Sequence, residues 1–256
     1  MKEITFNNTI ISYRVFGNGN PLVFLHGFLE DASMWDEFIQ PLKNTNQLIL
    51  IDLPCHGKTR FVGEICSMTF MAKCVQHILK YESIKSPTIL GHSMGGYVGL
   101  ELAKITDIRL ILIHSNFWTD SNTQKGDRDK LIELVKEKKG FFIKVAIPNL
   151  FHENNKMECS KTITNLIDKA NQIPAEEICS ATLGLKTRHA NYGLLKEQDI
   201  TIIQGEFDPI MTLNQMTIEI ESIQSEQKIH LIKDCGHMSI WEKPKELLDI
   251  IQQLCE

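Results

Sequence analysis

The sequence predicts an α/β fold in which a mostly parallel sheet of about eight strands is flanked by helices. Short, uninterrupted apolar runs such as Leu48–Ile51 and Leu110–Ile113 are typical of parallel strands that are buried on both faces. These runs alternate with amphipathic helical stretches, as expected for right-handed crossover connections. A chain of 256 residues is long enough for one such domain with an insertion.

The individual elements follow from the same patterns, taken in chain order. Strands are predicted over residues 2–16 (an antiparallel pair around the turn Asn7-Asn8), 21–25, 48–51, 88–90, 110–113, 200–203 and 228–232. Helices are predicted over residues 33–42 with Ser33 as N-cap, 67–82 with Ser67 as cap, from residue 94 to about 105, near 212–222 and over 244–254.

The alternation of strands and helices stops at about residue 117 and resumes at about residue 189. The intervening segment contains helical stretches, among them 127–139 and 160–171, and lacks an apolar run typical of a buried strand. We therefore expect residues 1–116 and 189–256 to form the core, and residues 117–188 to form a helical cap, or lid, inserted into it.

Composition excludes several classes of function. The net charge of −5 gives no reason to expect nucleic acid or an anionic membrane as partner. The N-terminus lacks the apolar run of a signal peptide, and no segment reaches about 18 apolar residues. The seven cysteines are odd in number and lack C-x-x-C spacing. We therefore expect a cytoplasmic protein without disulfides, a metal site or a cofactor.

One short motif points to nucleophilic catalysis. Gly91-His92-Ser93-Met94-Gly95 fits the pattern G-x-S-x-G, follows a predicted strand and opens a predicted helix. In such a turn the serine occupies a strained backbone position, and only small side chains fit at the two glycines. The hydroxyl then stands at the carboxyl edge of the sheet, where α/β sheets bind ligands. Ser93 is therefore the predicted nucleophile.

A serine hydroxyl needs a base and a group that orients the base. His237 follows the last predicted strand, and Gly236 permits a sharp bend there. Asp208 follows the strand 200–203, again at a carboxyl end. The order Ser93, Asp208, His237 suits a serine triad on this type of sheet.

Three other acids compete for the role of Asp208. Glu206 is the most credible substitute, because it lies two residues from Asp208. Asp52 precedes the serine in the chain and is expected to organise its own loop. Asp234 is too close in sequence to His237 to approach its Nδ1.

Acyl transfer also needs donors for the negative charge that develops on the carbonyl oxygen. The N–H of Met94, at the start of the helix after the nucleophile, is one predicted donor. The other is expected from the loop after the first parallel strand, at Phe28, with Leu29 as the alternative. The pocket for a small-molecule substrate is predicted at a further set of side chains: Leu29, Tyr97, Phe117, Trp118 and Met238.

These segments together resemble the α/β-hydrolase superfamily over nearly the whole chain. The segments that carry the resemblance are Phe24–Phe28 (oxyanion loop), Asp52–Gly57 (the D-x-x-G-H-G loop, with Cys55 where glycine is usual), Gly91–Gly96 (nucleophile elbow), Gly205–Asp208 (acid loop) and Gly236-His237 (histidine loop). The resemblance implies an α/β-hydrolase fold, and residues 117–188 resemble the helical lid of the family's lidded members.

The resemblance also implies the chemistry. A carboxylic-ester hydrolase, working through an acyl-enzyme on Ser93, is the first hypothesis. A C–C bond hydrolase of the meta-cleavage type is a related alternative. The menaquinone-pathway lyase of the superfamily usually has arginine after Gly95-Gly96, where this chain has Tyr97. A small-molecule receptor that retains the triad is a hypothesis from another class. The substrate and the oligomeric state stay open.

Overall fold

The computed structural model of the protein describes residues 1–224, 227 and 229–255. Its centre is one sheet of eight strands in the order β1-β2-β4-β3-β5-β6-β7-β8. The strands are β1 Lys2–Phe6, β2 Thr9–Phe16, β3 Asn20–Leu25, β4 Asn46–Ile51, β5 Thr88–His92, β6 Arg109–Ile113, β7 Ile200–Gly205 and β8 Ile229–Ile232. The prediction of about eight mostly parallel strands is confirmed; residue 228, at the start of the last predicted strand, lies outside the described residues.

Only the first two strands run antiparallel to their neighbours. β1 pairs with β2 and β2 with β4 in antiparallel register, whereas every pairing from β4 through β3 to β8 is parallel. The turn between β1 and β2 has positive φ at both Asn7 and Asn8, which asparagine tolerates better than most residues. All strands after β4 therefore end at the same edge of the sheet.

Helices cover both faces of this sheet. They are α1 Asp36–Leu42, α2 Met68–Tyr81, α3 Met94–Ala103, α4 Asn122–Ala146, α5 Ser160–Asn171, α6 Ala175–Lys186, α7 Leu194–Glu197, α8 Leu213–Ser222, α9 Ser239–Glu242 and α10 Pro244–Cys255. Short 3₁₀ turns lie at Ala32–Trp35, Pro148–Leu150 and Glu153–Asn155.

The strand pattern explains the two-sided core. Along β4, Ile49 and Ile51 pack into one apolar cluster with residues of α2 and α3, while Leu48 and Leu50 pack into a second with residues of α1 and α10. Because side chains alternate across a strand, an unbroken apolar run serves both faces at once. No described helix combines the length and apolar character needed to cross a lipid bilayer.

The structure corrects one of the two predicted helix caps and confirms the other. The helix predicted over 33–42 begins as the 3₁₀ turn Ala32–Trp35, and its cap is Asp31, whose carboxylate accepts from the N–H of Ser33 at 2.8 Å. The predicted cap Ser33 is therefore one of the capped residues. Ser67 does cap α2, accepting from the N–H of Phe70 at 3.1 Å.

The segment between β6 and β7 is helical, and it packs around an apolar cluster of its own. α4 is kinked at Lys138, where φ is −143° and ψ is 49°. Side chains of α4, α5 and α6 meet in this third cluster, which also includes Leu29 and Met238 from loops at the sheet edge. The inserted helices are thus packed onto the end of the sheet where the parallel strands finish.

Candidate active site

Three loops at the carboxyl edge of the sheet carry the predicted catalytic residues. Ser93 directly follows β5, Asp208 follows β7 by three residues and His237 follows β8 by five. The strand order places β6 between β5 and β7, and β8 beside β7. The four neighbouring strand ends therefore gather these loops at one place, as expected for an open α/β sheet.

The turn at Ser93 is tight and strained. Ser93 has φ 49° and ψ −113°, a conformation that an L-residue with a side chain rarely adopts. A Cβ at Gly91 would lie 2.6 Å from the carbonyl oxygen of Gly95, and a Cβ at Gly95 would lie 2.5 Å from that of Leu25. Both glycines are therefore required by close backbone contacts, and the chain turns at once from strand into α3.

Asp208 and His237 are joined by a hydrogen bond. His237 Nδ1 lies 2.8 Å from Asp208 Oδ2, and both side chains are buried. The other carboxylate oxygen accepts the N–H groups of Ile210 (2.9 Å) and Met211 (3.0 Å). Burial opposes ionisation of Asp208, but the charge of His237 and hydrogen bonds from imidazoles outweigh it and hold the pKa of the carboxyl well below its usual range.

The competing acids have other partners. Asp52 accepts the N–H groups of Ala32 and Lys58, both at 2.9 Å, and so organises the loop after β4. Glu206 accepts the N–H of Asp234 at 3.1 Å and thereby links the acid loop to the histidine loop. The structure brings Asp208 to the His237 imidazole.

The backbone of His237 is fixed from two sides. Its N–H donates to the carbonyl of Leu150, in the inserted segment, at 2.8 Å. Its carbonyl accepts from Nε2 of His92, the residue before Ser93, at 3.0 Å. Within the described residues no hydrogen bond joins Ser93 Oγ to His237 Nε2, and such contacts often tighten only when substrate binds.

A single carboxylate holds the histidine loop to the inserted segment. Glu242 accepts from the N–H groups of Gly236 (3.1 Å), Met238 (3.0 Å) and His152 (2.9 Å), and from Asn155 Nδ2 (2.8 Å). A Cβ at Gly236 would lie 2.5 Å from the backbone nitrogen of His152. Glycine at position 236, directly before His237, is thus needed for this close approach.

His92 and Glu30 form a buried pair behind the site. His92 Nδ1 lies 3.1 Å from Glu30 Oε2, which also accepts the N–H of Gly27 at 2.7 Å. Because both ring nitrogens of His92 face acceptors, both carry protons. Burial disfavours the charged form, but the Glu30 carboxylate outweighs it and raises the pKa of His92, while the pKa of Glu30 is lowered in turn.

A further histidine at this site escaped the sequence analysis. His114 is fully buried, with Nδ1 2.9 Å from Asp208 Oδ2 and Nε2 2.8 Å from Ser239 Oγ. Burial lowers its pKa to about 4, against the effect of the Asp208 carboxylate. Its position could have identified it as a site residue, because His114 directly follows β6. This strand lies between β5 and β7, which present Ser93 and Asp208.

The group formed by His114, Asp208 and His237 also has the composition of a metal site. It offers two imidazoles and a carboxylate whose ligand atoms lie within 4.8 Å of one another. Both Nδ1 atoms lie at hydrogen-bond distance from one carboxylate oxygen. A proton in each contact accounts for this arrangement.

The loop after β3 presents free backbone donors. The N–H of Gly27 is taken by Glu30, and His26 is held between the N–H of Leu53 (2.9 Å to Nε2) and the carbonyl of Gly27 (2.7 Å to Nδ1). In the described part of the chain, no acceptor pairs with the N–H groups of Phe28 or Met94. The same holds for the alternative donor Leu29, which has φ 66°.

The predicted pocket residues separate into two groups. Leu29 and Met238 are buried against the inserted helices. Tyr97 and Trp118 line a cavity of about 540 Å³, and Phe117 is buried with its ring against Trp118. Three other cavities have volumes of about 400 to 450 Å³, and Ser93, Asp208 and His237 line none of these four.

An ion-paired arginine lies in the cavity beside Tyr97. The guanidinium of Arg188 lies 4.3 Å from the centre of the Tyr97 ring and pairs with Asp120 at 2.7 Å. Arg128 reaches the second oxygen of Asp120 at 3.1 Å. Asp120, which lies just before α4, thus pairs with Arg128 on α4 and with Arg188 after α6.

Comparison with known proteins agrees with the fold. A family profile described as "Alpha/beta hydrolase family" matches residues 22–250. The chain belongs to this family. The assignment made from five short motifs is therefore confirmed.

Relatives with curated names match over shorter stretches. A pimeloyl-[acyl-carrier protein] methyl ester esterase of Aeromonas hydrophila is 33% identical over 94 residues, which are 36% of this chain and 35% of that protein. A dihydrolipoyllysine-residue acetyltransferase component of the acetoin cleaving system of Cupriavidus necator is 33% identical over 89 residues. That match covers 34% of this chain and only 23% of the relative.

Solved structures resemble the whole chain. A malate-bound thermophilic esterase from Thermogutta terrifontis has a TM-score of 0.91 and 24% identity, covering 99% of this chain and 98% of the other. An enol-lactonase from Burkholderia xenovorans has a TM-score of 0.88 and 18% identity, with both chains fully covered. At such identities these similarities establish the fold, and hydrolases and esterases recur among them.

Proposed function

We propose that this hydrolase cleaves small carboxylic esters or related acyl compounds, with Ser93 as nucleophile, His237 as base and Asp208 as the group that orients the base. The observation that carries the proposal is the 2.8 Å hydrogen bond from His237 Nδ1 to a buried, ionised Asp208, beside a strained serine turn. This arrangement leaves His237 Nε2 as the proton acceptor for the serine.

The reaction follows the usual course of a serine triad. His237 takes the proton of Ser93 as its oxygen attacks the acyl carbon, and later returns a proton to the departing alcohol. The unpaired N–H groups of Phe28 and Met94 bind the oxygen that becomes negative. Water activated by His237 then releases the acid. The name of the matched pimeloyl methyl ester esterase agrees with an ester substrate.

We propose that residues 117–188 act as a cap that shapes the substrate pocket. Its support is the apolar cluster that joins α4, α5 and α6 to Leu29 and Met238, which flank the site. An apolar wall beside the nucleophile favours apolar acyl or alcohol groups and keeps water out.

Tyr97 is the residue that bears on the lyase alternative, because it stands where that lyase usually has arginine. Arg188 does bring a guanidinium to the ring of Tyr97, where the menaquinone-pathway lyase usually has its own arginine. Asp120 pairs this guanidinium, however, so its charge is offset. Comparing turnover of a neutral ester, a dienoic diketone and a carboxylated substrate separates the three chemistries. Fast turnover of the neutral ester without any added protein also counts against a receptor.

Cytoplasmic location is part of the same proposal. All seven cysteines are free thiols, as expected in a reducing compartment.

The first experiment replaces the nucleophile. Ser93→Ala should lower kcat for p-nitrophenyl butyrate by about 10⁴-fold or more, because without the oxygen no acyl-enzyme forms. Ser160→Ala, at an exposed serine at the start of α5, is the matched control and should keep full activity. Equal activity of Ser93→Ala and the parent enzyme, with both folded by circular dichroism, would refute the proposal.

A further inference from the structure

We propose that His114 is a positioning residue for the catalytic pair: it donates a hydrogen bond to the same Asp208 oxygen that binds His237 and so weakens the hold of that carboxylate on the His237 imidazolium. The catalytic consequence rests on the function proposed above. The structural claim, that His114 controls how readily His237 becomes charged, can be tested without any turnover.

The first step is the position of the proton on His114. Asp208 is ionised and therefore only accepts hydrogen bonds, so the 2.9 Å contact with Oδ2 requires a proton on His114 Nδ1. A neutral ring then has its lone pair on Nε2, and the Ser239 hydroxyl, 2.8 Å away, donates to it. The N–H of Gly205 is 3.4 Å from Nδ1, too long to compete.

The second step is that two imidazoles compete for one oxygen. Oδ2 accepts from His237 at 2.8 Å and from His114 at 2.9 Å, whereas Oδ1 is occupied by two backbone N–H groups. Each added donor withdraws electron density from the carboxylate and lowers its affinity for a further proton donor. The hydrogen bond from His114 therefore reduces the stabilisation of positively charged His237.

The third step is that the surroundings keep His114 neutral. The charged and titratable groups that face its ring are Asp208, His237 and His92, the last two with ring centres 5.5 and 5.8 Å away. His92 already carries the positive charge of the Glu30 pair, and His237 gains one during the reaction. A third charge on a fully buried ring between them is opposed by both burial and repulsion.

The geometry also explains why the ring cannot move away. A Cβ at Gly205 would lie 2.8 Å from His114 Cε1, so the acid loop is packed directly on the imidazole. His114 itself has φ 48°, a strained conformation for a residue with a side chain. The protein holds a histidine here at a conformational cost, as is common for residues at functional sites.

The test compares two substitutions that differ in one donor. In His114→Asn, the amide Nδ2 can replace Nδ1 as donor to Asp208; in His114→Leu, the donor is lost. We expect the acid limb of the pH profile of kcat/KM to move up by roughly one pH unit in the leucine variant and to stay in place in the asparagine variant. For the leucine variant kcat should fall about tenfold with KM unchanged, because Asp208 is less well oriented.

The same comparison in the inactive Ser93→Ala background separates this inference from the proposed function. NMR of the histidine ring nitrogens gives the midpoint at which His237 takes up its proton, with no need for a substrate. An upward shift in His114→Leu but not in His114→Asn supports the inference even if esters prove not to be substrates. Equal midpoints in parent and leucine variant, or equal shifts in both variants, would overturn it.

Ser239→Ala gives a second route if the leucine variant does not fold. The Ser239 hydroxyl, by donating to Nε2, polarises the His114 ring and strengthens its Nδ1–H as a donor to Asp208; in Ser239→Ala that donor is weakened but kept. We expect a smaller shift in the same direction. An unshifted acid limb and NMR midpoint in Ser239→Ala, with no folded leucine variant to contradict them, would count against the inference.

Discussion

At the scale of single residues, the site contains two buried histidines in opposite states of charge. His92 is protonated against Glu30, and His114 is neutral against Asp208. His92 donates to the backbone carbonyl of His237. His114 shares the Asp208 carboxylate with the His237 imidazole. The sequence motifs did not single out His114. Only the register of β6 against β5 and β7 reveals its role.

The His92–Glu30 pair makes a prediction about stability and pH. Because the pKa of His92 is raised in the folded protein, its contribution to the free energy of unfolding is full below about pH 6.5 and is lost as the pH rises through the folded pKa. Because the pKa of Glu30 is lowered, its contribution requires a pH above about 4.5. Glu30→Gln should therefore lower the free energy of unfolding by about 2 kcal/mol near pH 5.5, and by less near pH 8.5. Urea denaturation at both pH values measures this.

Glu37→Gln is the matched control for that experiment. Glu37 is exposed on α1, and its substitution should change stability little at either pH. A destabilisation by Glu30→Gln that is larger at pH 8.5 than at pH 5.5 would contradict the assigned charge of the pair.

Cys55 shows a limit of prediction from residue identity. The Asp52–Gly57 loop has a side chain where the resembled family usually has glycine, and a backbone with negative φ would accommodate it most easily. Cys55 instead has φ 73°, the left-handed region that favours the usual glycine, and it is fully buried. The loop therefore holds Cys55 in a strained backbone conformation.

At the scale of elements, the strands were predictable because an apolar run with β-branched residues leaves few alternatives. The start of α1 was not, because Asp31 and Ser33 are both good caps and only the backbone decides between them. The 3₁₀ turns Pro148–Leu150 and Glu153–Asn155 were missed as well. The sequences of these turns have no hydrophobic periodicity. Residues in and beside them nevertheless hydrogen-bond to His237 and to Glu242, and so hold the histidine loop.

Glu242, at the end of α9, provides a prediction at this scale. Its carboxylate satisfies four donors from the histidine loop and the inserted segment, so Glu242→Ala should destabilise the protein by about 2–3 kcal/mol. It should also lower kcat more than it raises KM, because the loop that carries His237 loosens. Thermal unfolding and steady-state kinetics measure the two effects.

Glu246→Ala serves as control for Glu242→Ala. Glu246 is exposed in the first turn of α10 and should tolerate alanine with little effect on stability or kcat. If Glu242→Ala behaved like this control, the four hydrogen bonds would have no part in holding the loop.

At the scale of the whole molecule, the five motifs were sufficient to predict the fold. They lie at the ends of parallel strands, and an alternating chain brings such ends to one edge. The surroundings of the predicted pocket residues were less predictable, because they depend on tertiary contacts with the inserted helices. Phe117 illustrates this: expected at the pocket, it is buried in the main apolar cluster.

A further prediction concerns the effect of metal ions on the activity of the whole protein. If protons occupy the contacts among His114, Asp208 and His237, dialysis against EDTA should leave kcat/KM unchanged, and added Zn²⁺ should lower it by displacing those protons. Mass spectrometry of the metal content before and after dialysis accompanies the assay. Activity that disappears with the chelator and returns with a metal ion would show that the cluster is a metal centre.

The bond from the His237 N–H to the carbonyl of Leu150 limits how this protein can be re-engineered. A segment that connects two neighbouring strands, here β6 and β7, is a natural target for exchange with another segment. Here the exchange would remove the acceptor for the backbone N–H of His237, together with two of the donors that Glu242 binds. A graft that alters specificity must therefore keep residues 148–155 and replace only the helices on either side of them.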